Sequence, residues 1–231
     1  MTPPQAILFD YDGVLVASEP IHLLAWMQLL DELNLPKDEA LILRCVGQTA
    51  PEIILKILQK YQPEKSHSMD HCRELAQRKN FHYLKNARES LKLYPGVLEG
   101  LQWLRSQGIP SAIVSNGRRK EILETTDFLG IAPWITEIIT RDDVPAHKPD
   151  PTPYLFGAAS LGKEPHACMA VEDSPTGLEA ALMAKVPSVA LLTNFKKEHL
   201  QYPVPGRNDL SPRWILSSIE ELFNSLKEGS L

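Results

Sequence analysis

Short apolar runs alternate along this chain with longer stretches whose apolar positions recur every three or four residues. That alternation predicts a parallel sheet covered by helices. The first run is Ala6-Ile7-Leu8-Phe9, followed later by Ser111-Ala112-Ile113-Val114 and by Trp134-Ile135-Thr136-Glu137-Ile138-Ile139. Cys168-Met169-Ala170-Val171 and Ser188-Val189-Ala190-Leu191-Leu192 continue the series, with Trp214-Ile215-Leu216 as a weaker last member. Helix-sized segments at 97–107, 117–129, 152–161 and 175–185 fill the gaps between them.

One interval breaks this rhythm. Between Phe9 and Ser111 no stretch reads as a strand. Pro20 opens a helical pattern through Ile21, Leu24, Leu29, Leu30 and Leu33. Thr49-Ala50-Pro51-Glu52 has the form of a capping box, ahead of Ile53, Ile54, Ile57 and Leu58 on one face. A longer helix is expected over 69–90, and the turn-prone Tyr94-Pro95-Gly96 closes the interval. The fold class expected is therefore α/β, with a Rossmann-like parallel-sheet core formed by residues 1–16 plus 90–231. Residues 17–89 form an inserted helical domain after the first strand.

Composition narrows the setting. The chain has 231 residues, 43% hydrophobic and 23% charged, enough for a core that needs no disulfide or structural metal. The formal net charge of −5 offers no basic face for nucleic acid or an anionic membrane. An anionic substrate must then meet positive charge supplied locally, by a metal ion or a few lysines. Cys45, Cys72 and Cys168 are odd in number and widely spaced, as expected of free thiols in a reducing compartment. No apolar run approaches the ~20 residues of a membrane span, and Met1-Thr2-Pro3-Pro4-Gln5 lacks the pattern of a signal peptide, so the expected compartment is the cytoplasm. A monomer or small homo-oligomer is expected.

In open parallel sheets ligands bind beyond the carboxyl ends of the strands. Here those ends carry Asp10-Tyr11-Asp12-Gly13-Val14, then Ser115-Asn116-Gly117, then Lys148-Pro149-Asp150-Pro151 in a loop, then Glu172-Asp173-Ser174-Pro175. Asp10, Asp12, Glu172 and Asp173 would crowd four carboxylates into one pocket, an arrangement that calls for a cation. Oxygen-only ligands suit Mg²⁺. Lys148 adds a second positive group, and the Ser115 hydroxyl with nearby amides can hold phosphate oxygens. A carboxylate can act as a nucleophile by forming an aspartyl-phosphate, while a second carboxylate moves the proton. Taken singly, Asp10 and Asp12 could cap a turn, and Glu172-Asp173 could be a charge pair at a helix N-terminus. Four such groups in order, each at a strand end, argue for a common site.

Those four segments resemble the ordered motifs of the haloacid dehalogenase superfamily, and the resemblance covers nearly the whole chain, including the helical cap between the first and second motifs. It implies Mg²⁺, Asp10 as nucleophile, Asp12 as acid/base, and Ser115, Asn116 and Lys148 as phosphate-binding residues. It further implies that Asp10, the Asp12 carbonyl, Asp173 and Glu172 hold the metal, directly or through water. Asp12 points away from a dehalogenase, which has no leaving alcohol to protonate, and toward a phosphatase or phosphomutase.

Ser18-Glu19-Pro20-Ile21-His22, Gly47 and Leu75-Ala76-Gln77-Arg78-Lys79-Asn80 are similar to the β-phosphoglucomutase-like subgroup, which implies substrate contacts for His22 and Lys79. In the mutases an arginine three residues beyond the cap glycine grips the second phosphate; here that place is Ala50. A guanidinium clamp is hard to replace. The function expected is thus a phosphatase of small phosphorylated metabolites, sugar phosphates foremost, with a phosphohexomutase as the alternative. His67, His71 and Cys72 look like part of a metal site but lack a partner half, and are expected on a solvated surface. Trp26 and Trp103 are expected in the core.

Overall fold

The computed structural model describes residues 4–45 and 49–231, with Leu43 through its backbone alone. Gly47 and residues 1–3 lie outside the described residues. The chain divides into two compact units, residues 1–17 with 92–231, and residues 18–91.

The first unit is built on a six-stranded parallel sheet. Its strands are β1 (Ala6–Phe9), β2 (Ser111–Val114), β3 (Glu137–Ile139), β4 (Cys168–Glu172), β5 (Ser188–Leu191) and β6 (Trp214–Leu216). They lie in the order β3-β2-β1-β4-β5-β6. Ile7 pairs with Ser111 on one side of β1 and with Met169 on the other, so β1 runs through the middle. The connections run outward from β1 through β2 to β3, then return to the far side at β4. The order therefore reverses between β1 and β4, the crevice where open α/β sheets bind ligands.

The four inner strands β1, β2, β4 and β5 are buried on both faces, as parallel strands between helices must be, while the edge strands β3 and β6 are partly exposed. Ala6, Leu8, Ala112, Val114 and Ala170 pack against α7 (Thr152–Ser160) and α8 (Pro175–Met183) through Tyr154, Ala158, Ala180 and Ala181. On the other face, Phe9 meets Phe223 with ring centroids 6.0 Å apart. Phe223 lies on α10 (Ile219–Glu228), which packs on α5 (Val97–Ser106). The remaining helices here are α6 (Arg119–Phe128) and the short α9 (Lys197–Leu200).

One strand starts later than its apolar run suggests. Residues 132–134 form a 3₁₀ turn in which the Trp134 amide bonds to the Ile131 carbonyl, and β3 begins only at Glu137. Pro133 within that turn has no N–H to give a sheet ladder, so the aromatic and apolar residues around it cannot extend the strand.

The described residues of the second unit form helices and no strand. It contains α1 (Glu19–Glu32), α2 (Glu39–Arg44), α3 (Ala50–Tyr61) and α4 (Met69–Ser90), with α1 and α3 packed on α4. Its core joins Trp26, Leu29, Leu30, Ile53, Ile54, Ile57, Leu58, Cys72 and Leu75. Cys72 corrects the surface expectation for its segment. It faces the core on α4, fully buried, while its neighbour His71 is exposed.

Glu52 reaches back to the Thr49 amide at 2.8 Å, the reciprocal contact of the expected capping box. The short α2 is tied down by Asp38, which accepts from the Leu41 amide (3.0 Å), Lys60 Nζ (2.6 Å) and Tyr61 Oη (2.6 Å). Trp26 is buried and Trp103 half-buried. Among the described residues no helix is long and apolar enough to cross a membrane. All three cysteines are free and buried.

Candidate active site

Asp10 is placed by the sheet itself. Its amide donates to the Val171 carbonyl at 2.9 Å, so the β1–β4 pairing runs one residue past Phe9 and fixes where the carboxylate emerges. The chain then turns at Gly13, whose φ of +79° lies in the left-handed region that favours glycine. A Cβ there would also run into the carboxylate of Asp173 and the amide of Asn194. The same turn is held from the fifth strand end, where the Thr193 hydroxyl donates to the Gly13 carbonyl at 2.7 Å.

The loop after β4 is equally determined. Ser174 caps α8, its Oγ accepting from the Gly177 amide at 3.1 Å, and its hydroxyl donates to Glu172 Oε2 at 3.1 Å. Gly177 is required by close approach, because a Cβ on it would overlap the Glu172 carboxylate. Asn194 Nδ2 donates to Asp173 Oδ2 at 2.7 Å. Carboxylate oxygens of Asp10, Glu172 and Asp173 all lie within 4.8 Å of one another. Asp12 stands outside that trio on the turn, half-buried.

Lys148 is the positive centre of this group. Its Nζ donates to Asp10 Oδ1 at 2.6 Å, to Glu172 Oε1 at 2.5 Å and to the Val114 carbonyl at 2.7 Å, which uses all three ammonium hydrogens. Its side chain is 4% exposed and that of Glu172 is 0% exposed. The Lys148–Pro149 peptide is cis. Asn116 locks the lysine loop to the β2 loop, donating to the Lys148 carbonyl and accepting from its amide, both at 3.1 Å. The Ser115 amide bonds to the Ile139 carbonyl, and its hydroxyl oxygen accepts from the Gly117 amide at 2.9 Å.

The electrostatics follow from this crowding. Burial pushes the Asp10 carboxyl well above its ordinary range, and Glu172, Asp173 and Asp12 add to that push against the opposing pull of Lys148. Burial works against the charge of Lys148, yet the carboxylates of Asp10 and Glu172 more than offset it and hold the ammonium above its ordinary pKa. Tyr154 is likewise raised, first by burial and then by the charge of Glu172. The pocket carries more negative charge than one lysine neutralises.

The structure thus brings Asp10, Lys148, Glu172 and Asp173 into contact range and sets Asp12, Ser115 and Asn116 on the adjoining turns. His22 and Lys79 lie in the helical unit. There Lys79 Nζ is 2.7 Å from His22 Nδ1, and His22 stacks on Tyr83 with centroids 4.1 Å apart. Lys79 is buried, and its Nζ also lies 5.5 Å from the ring centroid of Trp26. Ala50 opens α3 and packs against the core of that unit.

Three residues of the first unit were not anticipated. Thr193 and Asn194 directly follow the fifth apolar run, so asking what stands at that strand end would have found them. Tyr154 gives no comparable signal, because it sits inside an ordinary helical pattern. Its hydroxyl donates to Glu172 Oε1 at 2.8 Å, and Lys148 Nζ lies 4.9 Å from its ring centroid.

Comparison with known proteins places the chain in a family. Residues 7–191 match the model of a family described as haloacid dehalogenase-like hydrolase. A phosphoglycolate phosphatase from Haemophilus influenzae (strain 86-028NP) is 31% identical over 221 residues, spanning 94% of this chain and 96% of that protein. The crystal structure of a predicted phosphoglycolate phosphatase from Haemophilus somnus 129PT superposes with a TM-score of 0.81 at 28% identity, covering 97% and 98% of the two chains. A HAD family hydrolase from Deinococcus radiodurans R1, solved with bound phosphate and sodium, gives a TM-score of 0.72 at 29% identity, over 100% of this chain and 98% of that one.

Proposed function

Since this chain belongs to the haloacid dehalogenase-like hydrolase family and is a phosphatase of that family, we propose that it hydrolyses small phosphorylated metabolites, sugar phosphates foremost, through a phosphoryl group carried on Asp10. The observation that carries this reading is the Lys148 ammonium bonded to Asp10 inside a cluster of buried carboxylates. A surplus of negative charge at a strand end has no structural use, and it suits a site that receives cations and a phosphoryl group together.

The donor set fits Mg²⁺. It consists of oxygens alone, with the carboxylates of Asp10, Glu172 and Asp173 gathered within 4.8 Å, and a hard octahedral ion favours such oxygens. Asp10, Asp173 and the Asp12 carbonyl would hold the ion. Glu172 would join through water, because its Oε1 already serves Lys148 and Tyr154 and its Oε2 serves Ser174. When bound, the ion supplies positive charge against the carboxylates and the phosphoryl oxygens.

The chain's own residues account for the remaining chemistry. The Asp10 carboxylate attacks phosphorus, and the bond from phosphorus to the ester oxygen breaks. Asp12 gives its proton to that oxygen, so the leaving group departs as an alcohol. Asp12, now a carboxylate, takes a proton from water, which attacks the same phosphorus and frees Asp10 and inorganic phosphate. Lys148 keeps Asp10 aimed and places its charge beside the phosphoryl oxygens. The Ser115 hydroxyl and the Asn116 amide hold those oxygens, and the Asn116 side chain fixes that turn to Lys148.

We further propose a cap role for the helical unit, with His22 and Lys79 as its substrate contacts. The chain crosses into and out of this unit through paired segments. The Ala17 amide bonds to the Lys92 carbonyl at 3.0 Å, and the Tyr94 amide to the Leu15 carbonyl at 3.0 Å.

A phosphate-release assay over phosphoglycolate, hexose phosphates and pentose phosphates, with Mg²⁺ and with a chelator, tests this function. Mg²⁺-dependent release from one or more of them is expected. Conversion of hexose 1-phosphate to 6-phosphate that outpaces release would instead make the chain a phosphohexomutase.

A further inference from the structure

Tyr154 is a buried phenol in contact with the carboxylate–lysine cluster, and the chemistry above does not use it. It sits in the first turns of α7, fully buried against the sheet. Two of its features face the cluster. Its hydroxyl donates to Glu172 Oε1 at 2.8 Å, the same oxygen that takes Lys148 at 2.5 Å. Its ring lies beneath the ammonium, centroid to Nζ 4.9 Å, within the range of a cation–π contact.

We propose that Tyr154 is a positioning residue for the phosphatase reaction, fixing Glu172 through its hydroxyl and Lys148 through its ring so that the ammonium stays aimed at Asp10. This inference rests on the phosphatase reading and adds a residue to it. Lys148 has three N–H donors and three acceptors, Asp10, Glu172 and Val114. Whenever the ammonium turns toward a phosphoryl oxygen, one of those acceptors must give it up. Glu172, wholly buried, cannot be left short of donors, because an unsatisfied buried carboxylate is costly.

The Tyr154 hydroxyl keeps that oxygen bonded, so Glu172 holds its rotamer while Lys148 shifts between Asp10 and the phosphoryl group. Ser174 on Oε2 and the bare Cα of Gly177 hold the other edge of the same carboxylate. Glu172 is thereby clamped from both sides, and the tyrosine part of the clamp also touches the lysine.

Tyr154→Phe separates the two contacts, since it keeps the ring and removes the hydroxyl. Hydrogen bonds to charged groups are worth about 1.5–3 kcal/mol, and tenfold in rate corresponds to about 1.4 kcal/mol. A fall in kcat of about tenfold or more is therefore expected in Y154F, with KM within about twofold of wild type. Y154L, which also loses the ring, should fall further. Thermal unfolding of each variant gives the folded fraction, and kcat is expressed per folded enzyme.

A second readout does not depend on turnover. The Lys148 ammonium is observed by ¹⁵N NMR in the substrate-free protein, and its protons should exchange with water several-fold faster in Y154F. Unchanged kcat per folded enzyme together with unchanged ammonium exchange would overturn the proposal. So would a loss confined to KM or to melting temperature. A wild-type chain that releases no phosphate from any ester would sink the proposed function instead, and the ammonium exchange alone would then decide the role of Tyr154.

Discussion

Lys148→Met is the perturbation that probes the cluster most sharply. Methionine approximates the length of the lysine and fills the same channel, but it removes the ammonium that contacts Asp10 and Glu172. At an effective dielectric of about 20, unit charges 2.6 Å apart attract by about 6 kcal/mol. Much of that is offset by the cost of drying the ions, so the gross figure overstates the effect. Removing one partner of a buried ion pair leaves the other uncompensated and costs about 3–5 kcal/mol.

With Glu172 fully buried and Asp10 only 13% exposed, the change should lie in that range. For a chain of this size, each kcal/mol lowers the melting temperature by about 2–4 °C, so a fall of roughly 10 °C is expected in chelator. Added Mg²⁺ binds the folded state and replaces part of the missing charge, so the gap between variant and wild type should narrow. The assay is paired thermal and urea unfolding at pH 7, with and without Mg²⁺. A K148M protein within about 1 kcal/mol of wild type in chelator would refute the reasoning, because the lysine would then contribute no net stabilisation to its buried carboxylates.

Two further outcomes follow from other parts of the molecule. Gly177→Ala should reverse the usual sign of its class. Exchange of glycine for alanine within a helix normally stabilises by about 0.5–1 kcal/mol, but here the new methyl meets the Glu172 carboxylate. Overpacking of about 1–3 kcal/mol and a loss of phosphate release are expected, read by urea unfolding and by the release assay; a stabilised, fully active G177A would contradict the clamp.

In the helical unit, Lys60, Tyr61 and the Leu41 amide, in that order of effect, hold the Asp38 carboxyl well below its ordinary pKa. A depressed carboxylate contributes stability above its unfolded pKa of about 3.9 and loses it as pH falls toward the folded value. Asp38→Asn should therefore melt earlier than wild type at pH 7, with the difference shrinking steadily below about pH 4; a difference that does not depend on pH would show that the carboxylate's charge is irrelevant there.

Much of this was legible in the sequence, for physical reasons that differ by region. The inner strands announced themselves because a parallel strand buried on both faces must be almost wholly apolar, as Ala6–Phe9 is and as Ser111–Val114 is after its first residue. The candidate site was legible because strand ends are short and the polar residues that follow them have few places to go. Asp10, Lys148, Glu172 and Asp173 converge for that reason.

What stayed hidden depends on which side chain faces which neighbour. Tyr154 reads as one more apolar-face residue of α7, and only the sheet's closeness turns its hydroxyl onto Glu172. Asn194 follows a strand as visibly as Ser115 does, but its use depends on how near the fifth strand end comes to Asp173. The short α2 has too few residues for a period to show, and it is fixed by Asp38, Lys60 and Tyr61 rather than by propensity. Cys72 sits in a polar stretch whose inward face appears only once α1 and α3 pack on α4.

The central claim is that the phosphoryl group passes through Asp10, and one experiment addresses it directly. Wild-type protein is mixed with a turned-over phosphoester and Mg²⁺, quenched in acid during steady state, and digested for mass spectrometry. One added phosphoryl group is expected on the peptide that contains Asp10. Asp10→Asn, which keeps the shape of the side chain, is expected to show neither that adduct nor phosphate release while melting as a folded protein. An Asp10→Asn variant that releases phosphate at the wild-type rate, or a phosphoryl group found on another residue, would contradict that claim.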